Sequence, residues 1–281
     1  MNKNEVHLLL EQLELKPKKF LGQNFLIDNN TIDKIIALSD LSLDDVILEI
    51  GPGLGSLTER IATQVKKVYA VEVDSKLYSY LKNKFSSIDN IEVINGDILK
   101  IDIPFHNKIV SNLPYKITGP ILEKIFFKKN PPQGILTIEK SIADRIFPSV
   151  EYKNLSRISI GVNTFMNPLF KKTIPRTCFY PIPKIESTLI KLAPKENIDP
   201  FFKVETSIHY YLKFIAGIMP YKNKNIVNAL YLFFKANYRH RPEKSEILKL
   251  LQQENYHNKK LFLLNIEEFI DISKIFYNLI R

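Results

Sequence analysis

The sequence predicts an α/β protein: a doubly wound sheet followed by a smaller all-helical domain. Three observations predict it. Between residues 46 and 139 short apolar runs alternate with helix-period segments. The first of these runs enters a glycine turn, Gly51-Pro52-Gly53-Leu54-Gly55-Ser56, and beyond Pro200 helical periodicity continues without strand alternation. A length of 281 residues accommodates two domains at roughly 150 residues each.

Taken in order, strands are predicted at 46–50, 68–73, 91–95, 108–111 and 134–138. Ser75 is the expected N-cap of a helix reaching residue 85, and Gly119-Pro120 opens another through Phe127, proline being tolerated in a first turn. Beyond Lys140 helices are predicted at 142–147 and 155–166. Extended segments at 169–174 and 188–192 would enlarge the sheet. Pro194-Lys195-Glu196-Asn197-Ile198-Asp199-Pro200 reads as a linker, two prolines bracketing a polar run, and divides the chain into 1–194 and 195–281.

Composition removes several function classes. Hydrophobic residues at 45% and charged residues at 25% describe a globular chain, not a fibrous or low-complexity one. No apolar run approaches a membrane span, and Leu8-Leu9-Leu10 is cut off by Glu11 and Gln12 before it can serve as a signal sequence, so residence in the cytoplasm is expected. The single cysteine, Cys178, excludes an internal disulfide and has no evident base partner. The five histidines are too scattered for a short ligand motif, and no metal is expected.

The net charge of +10 favours a polyanion partner. Residues 195–281 carry 14 cations against 9 acids, about twice the positive density of the rest of the chain. Within 213–244, Lys222 and Lys224 belong to a set of seven cations interleaved with Tyr221, Tyr231 and Tyr238, a pattern suited to phosphate contact with base stacking. A solvated lysine face fits that stretch equally well. Near the amino terminus, Lys16-Pro17-Lys18-Lys19-Phe20 reads as an arm in which Lys18 and Lys19 contact phosphate and which could close over a ligand; a solvated charge run is the alternative.

The glycine turn, with Gly51 and Gly53, lets backbone approach a ligand at the carboxyl edge of the sheet. Glu72, about 20 residues on at the end of the next strand, can accept both ribose hydroxyls of an adenosine-containing cofactor. Asp97 follows the third strand at the same edge, where a carboxylate can take an adenine amino group. Ser56 stands where the dinucleotide fingerprint has its third glycine, which argues against NAD.

Asn112-Leu113-Pro114-Tyr115 follows the fourth strand, which in a doubly wound sheet lies beside the first, so the loop faces the glycine turn. An exocyclic adenine amine is a poor nucleophile because its lone pair is delocalised into the ring. Acceptors for both of its N–H groups would pull the nitrogen toward tetrahedral geometry. Asn112 Oδ1 and the Leu113 carbonyl, held by Pro114, are suitable acceptors, and Tyr115 offers a flat face for the base.

Phe20-Leu21-Gly22-Gln23-Asn24-Phe25-Leu26, Glu49-Ile50-Gly51-Pro52-Gly53, Glu72, Gly96-Asp97, Asn112-Leu113-Pro114-Tyr115 and Phe179-Tyr180-Pro181-Ile182-Pro183-Lys184 together resemble the ribosomal RNA adenine N6-dimethyltransferases of the small-subunit branch. The resemblance covers residues 16 to about 192 and, more loosely, the tail. It implies S-adenosylmethionine as cofactor, a Rossmann-like methyltransferase sheet with an antiparallel last strand, and small-subunit rRNA or its precursor particle as the partner of a monomeric enzyme. By position, Asn24 and Leu26 would line the cofactor site with Gly51, Glu72, Asp97 and Asn112, and Phe179 would stack on the target adenine opposite Tyr115.

Three segments depart from the family's pattern: Tyr152-Lys153-Asn154-Leu155-Ser156-Arg157 in place of Tyr-Gly-Arg-Leu-Ser, Glu139-Lys140-Ser141 in place of Gln-Lys-Glu, and Tyr221-Lys222-Asn223-Lys224 where arginines are usual. They bear on RNA choice rather than on the methyl donor. Two alternatives stay open at this level: an erythromycin-resistance type enzyme of large-subunit rRNA, against which Leu113 leans because that group commonly has Ile there, and a non-catalytic RNA-binding assembly or transcription factor on the same fold.

Overall fold

The computed structural model describes residues 3–18, 21–147 and 155–279. Contacts divide these into two compact units, one comprising Met1–Phe126, Asn130–Asp144 and Met166–Pro194, the other Phe127–Lys129, Arg145–Phe165 and Lys195–Arg281. The second unit therefore takes two segments from within 1–194 in addition to the tail. Residues Tyr152, Lys153 and Asn154 lie outside the described residues.

The first unit is organised by a seven-stranded sheet in the order β4 (Ile91–Asn95), β3 (Lys67–Glu72), β2 (Val46–Ile50), β5 (Lys108–Asn112), β6 (Gln133–Glu139), β9 (Ser187–Pro194), β7 (Met166–Ile174). The first five run parallel; β9 is antiparallel to both β6 and β7. Strands buried on both faces need near-continuous apolar sequence, and Ile47, Leu48, Ile109, Val110, Ile135 and Leu136 are all fully buried. Each of the five parallel strands lies within one residue of its predicted bounds at either end. Because β3 lies on one side of β2 and β5 on the other, the chain reverses direction of travel at β2, and a crevice opens at the carboxyl ends of β2 and β5.

Helices α2 (Asn29–Leu38) and α3 (Ser56–Ala62) bury Ile32, Ile35, Leu57 and Ile61 in a cluster with Ile47, Val68 and Val110. Helix α4 (Ser75–Lys84) follows β3, and its N-cap is Asp74 rather than Ser75. The carboxylate of Asp74 takes the N–H groups of Lys76 and Leu77, which Ser75 is one position too late to do. Helix α5 (Thr118–Phe126) joins β5 to β6, and α6 (Lys140–Ile146) follows β6.

Two elements at the amino terminus have no counterpart among the sequence expectations. Helix α1 (Lys3–Gln12) inserts Val6 and Leu10 into a cluster with Leu15, Phe25, Leu54 and Leu77. A two-residue strand β1 (Phe25–Leu26) pairs antiparallel with β8 (Phe179–Tyr180), tying the arm to the loop before β9.

The second unit is helical, with α7 (Arg157–Phe165), α8 (Glu205–Ile218), α9 (Ile226–Asn237), α10 (Lys244–Gln253) and α11 (Ile266–Leu279). Its core is aromatic: Phe214 meets Phe233 edge-on at 5.4 Å between centroids, and Phe234 meets Phe276 at 5.2 Å. Thr164 and the buried Tyr211 share a hydroxyl–hydroxyl bond of 2.9 Å. Among the described residues no helix is long and apolar enough to cross a membrane.

Candidate active site

The crevice holds a cavity of about 210 Å³. Its walls come from the arm at residues 21–25, the glycine turn, residues 71–73 at the end of β3, residues 96–99 after β4, and residues 112–115 at the end of β5 and beyond it. Gly51 and Gly53 have φ of +68° and +60°, a conformation that favours glycine. At Gly53 the requirement is also spatial, since a Cβ there would stand 2.9 Å from the Phe25 ring. Absence of side chains at this turn leaves room for a ligand to approach the backbone.

Glu72 ends β3 with its side chain buried against the cavity. Oε1 accepts the Asp74 N–H at 2.9 Å and Oε2 that of Gly53 at 3.4 Å. Burial outweighs these bonds and pushes the carboxyl up to about 7. Asp97 lines the same cavity, one-third exposed, with Oδ1 accepting the Leu99 N–H at 3.0 Å. Val73 and Ile98 supply apolar wall to the same cavity, the lining a flat purine requires.

Asn112, at the end of β5, also lines the cavity. Its Nδ2 donates to the carbonyl of Asn24 at 3.1 Å, which fixes the amide plane. Its Oδ1 is buried and has no hydrogen-bond partner, a costly state for a buried acceptor unless a ligand completes it. The Leu113 N–H is spent on Thr137 O at 3.0 Å, and the Pro114 carbonyl accepts from Ile117 and Thr118. Leu113 lines the same cavity. Tyr115 lines the same cavity, and its hydroxyl is bonded to Ser187 of β9, so its ring orientation is set from the sheet.

Nine of the residues singled out in the sequence thus line one cavity: Asn24, Gly51, Gly53, Glu72, Asp97, Asn112, Leu113, Pro114 and Tyr115. Leu26 lies instead on a small adjoining cavity of about 40 Å³, shared with Glu49, Asn24 and Asn112. Burial pushes Glu49 up to about 8, and its Oε2 has no partner.

Phe179 is only 1% exposed and packs in the core with Leu26, Ile32 and Ile35. An all-carbon ring on a strand paired with β1 gains more from that core than from a solvated loop. The Lys18 side chain is 41% exposed, and its ammonium lies 2.7 Å from Asp74 Oδ2, whose side chain is 1% exposed. A buried carboxylate needs a counter-charge, and Lys18 supplies it. Lys19 lies outside the described residues. Lys222 and Lys224 sit in the turn between α8 and α9, Lys222 half-buried and Lys224 exposed. The Asp74 contact was missed by sequence reading, although an acid directly before Ser75 was a legible N-cap signal.

Comparison with known proteins follows the same line. The family model described as ribosomal RNA adenine dimethylase matches residues 14–271. The ribosomal RNA small subunit methyltransferase A of Natranaerobius thermophilus is 32% identical, the match covering 99% of this chain and 97% of that one. A dimethyladenosine transferase from Plasmodium falciparum superposes with a TM-score of 0.77 at 26% identity, over 90% of this chain and 98% of that one. The 23S rRNA methyltransferase ErmE shares the fold, with a TM-score of 0.65 at 23% identity over 90% of this chain and 99% of that one.

Proposed function

The chain belongs to the ribosomal RNA adenine dimethylase family, and from that membership we propose that its cavity is where adenines of small-subunit rRNA are methylated at N6, twice on each base, with S-adenosylmethionine as donor. The donor fits the residues present: acids at Glu72 and Asp97 for ribose hydroxyls and the adenine amine, apolar wall from Val73 and Ile98, and side-chain-free positions at Gly51 and Gly53. When bound, it supplies an electrophilic methyl group on a sulfonium.

One observation carries the reading. Asn112 Oδ1 is a buried acceptor with no partner, held in place by the Asn24 carbonyl, in the cavity that Glu72 and Asp97 also line. With the Leu113 carbonyl it can accept both N–H groups of an exocyclic amine, localise the nitrogen lone pair and aim it. No base is needed before attack. Positioning of this kind contributes about 7–11 kcal/mol, against a few for extruding the base. Tyr115, its hydroxyl tied to Ser187, presents a fixed ring face to that base. The basic tail, with Lys222 and Lys224, is assigned to rRNA phosphates.

Mapping N6-methylated adenines in rRNA from cells lacking the protein tests this. Loss of N6,N6-dimethyladenosine near the 3′ end of small-subunit rRNA is expected. Unchanged small-subunit rRNA, or a loss confined to large-subunit rRNA, overturns it.

A further inference from the structure

We propose that Asp74 is a positioning residue that clamps the amino-terminal arm over the cofactor cavity, holding it through Lys18 and Gln23. The inference rests on the reading of the cavity as the S-adenosylmethionine site. An N-cap needs one carboxylate oxygen, and Asp74 Oδ1 serves that purpose for α4, taking the N–H groups of Lys76 and Leu77 at 3.0 and 3.4 Å. Oδ2 has different partners. It takes the Lys18 ammonium at 2.7 Å and the Gln23 side-chain amide at 3.3 Å, both from an arm more than 50 residues away in sequence.

Gln23 closes the unit. Its Oε1 accepts the Lys18 backbone N–H at 2.7 Å, so the two groups that reach Asp74 also hold each other. The arm residues directly involved or adjoining, Gln23, Asn24 and Phe25, line the cavity, and the Asn24 carbonyl is the one that orients Asn112. On its other side Asp74 donates its backbone N–H to Glu72 Oε1. A single buried acid therefore fixes the carboxylate on one wall of the cavity and the arm that forms another. Upstream, Leu10 of α1 and Leu15 pack with Leu54 and Leu77, and at the cavity end the ion pair acts beside the β1–β8 pairing and the Asn112–Asn24 bond.

Asp74→Asn keeps an acceptor for the cap and removes the charge; Lys18→Gln removes the other partner from a half-exposed position. Measured by calorimetry on the full chain, each variant is expected to raise the Kd for S-adenosylmethionine about tenfold, the scale of one lost charge-assisted hydrogen bond. The loss falls on cofactor Kd rather than on kcat at saturating cofactor or on KM for rRNA. The double variant is expected to bind no worse than the weaker single one, and Lys18→Arg to restore affinity. Unchanged cofactor Kd in both folded single variants, or additive losses in the double, overturns the clamp. So does a Lys18→Gln effect confined to KM for rRNA, which makes Lys18 a phosphate contact. A wild-type protein that does not bind S-adenosylmethionine refutes the cavity reading itself, a separate result.

Discussion

The side-chain amide of Asn112 donates to the backbone carbonyl of Asn24 at 3.1 Å while its own oxygen, buried, accepts nothing. One half of the amide is used to fix the other half in space. Residue 24 lies in the amino-terminal arm and residue 112 at the end of β5, so the acceptor is oriented only when arm and sheet are assembled together. The geometry is preorganised for a donor that arrives with the substrate.

Phe179 tests where an aromatic of the Phe-Tyr-Pro loop acts. If it is core, as its 1% exposure indicates, Phe179→Leu keeps the burial and retains methyl transfer within a few-fold, whereas Phe179→Ala costs about 3–5 kcal/mol of stability in denaturant unfolding. A folded Phe179→Leu protein that has lost transfer by a hundredfold would put the ring back against the target base.

Glu72 gives cofactor binding a pH dependence whose sign follows from its burial. The carboxyl, pushed up to about 7, keeps its proton below that pH, and ribose hydroxyls are accepted best by the carboxylate. Affinity is therefore expected to rise from pH 6 to pH 8, by at most about tenfold per unit below 7. In the unliganded protein the same shift opposes folding, since stability from this group is full below its ordinary value of 4.5 and is lost as pH rises toward 7. Glu49, raised to about 8, titrates in the adjoining window, so calorimetry should compare wild type with Glu72→Gln. A slope unchanged by Glu72→Gln would remove the assignment.

Gly53→Ala is expected to destabilise the protein by about 1–3 kcal/mol, because alanine at φ +60° is strained and its Cβ would meet the Phe25 ring. Phe25 lines the cavity, so cofactor affinity should fall with stability. A thermal midpoint equal to wild type would show that the turn relaxes freely.

Lys222 and Lys224 are assigned to phosphate. Neutralising both should weaken rRNA binding and reduce the slope of log K against log salt by about 1.5–2, with cofactor Kd unaffected. Equal slopes would take the turn between α8 and α9 out of the RNA interface.

The sheet was legible in the sequence because its parallel strands are short runs rich in Val and Ile bounded by turns, as at Val46–Ile50 and Ile91–Asn95. The site was legible because it falls at strand ends, whose order the topology dictates; Glu72, Asp97 and Asn112 needed only that rule. What local pattern does not encode was missed. The pairing of Phe25 and Leu26 with Tyr180 and Phe179 spans more than 150 residues and two positions, too short for any periodicity. Core burial and base stacking demand the same ring at Phe179, and only its neighbours distinguish them. Lys18 looked like part of a solvated basic run because the acid that claims it lies 56 residues on and is itself buried. Likewise, Arg145–Phe165 joins the helical unit through contacts such as Phe165 with Phe202, at 5.1 Å, that no linear boundary anticipates.

The most direct measurement is transfer of labelled methyl groups from S-adenosylmethionine to small-subunit rRNA, by wild type and by Asn112→Ala at saturating cofactor. Label in N6,N6-dimethyladenosine is expected from wild type, with the transfer rate about 10²–10³-fold lower in Asn112→Ala and its cofactor Kd raised less than in Glu72→Ala. Near-normal transfer by Asn112→Ala, or no label on adenine N6 from wild type, would contradict the assignment of this cavity.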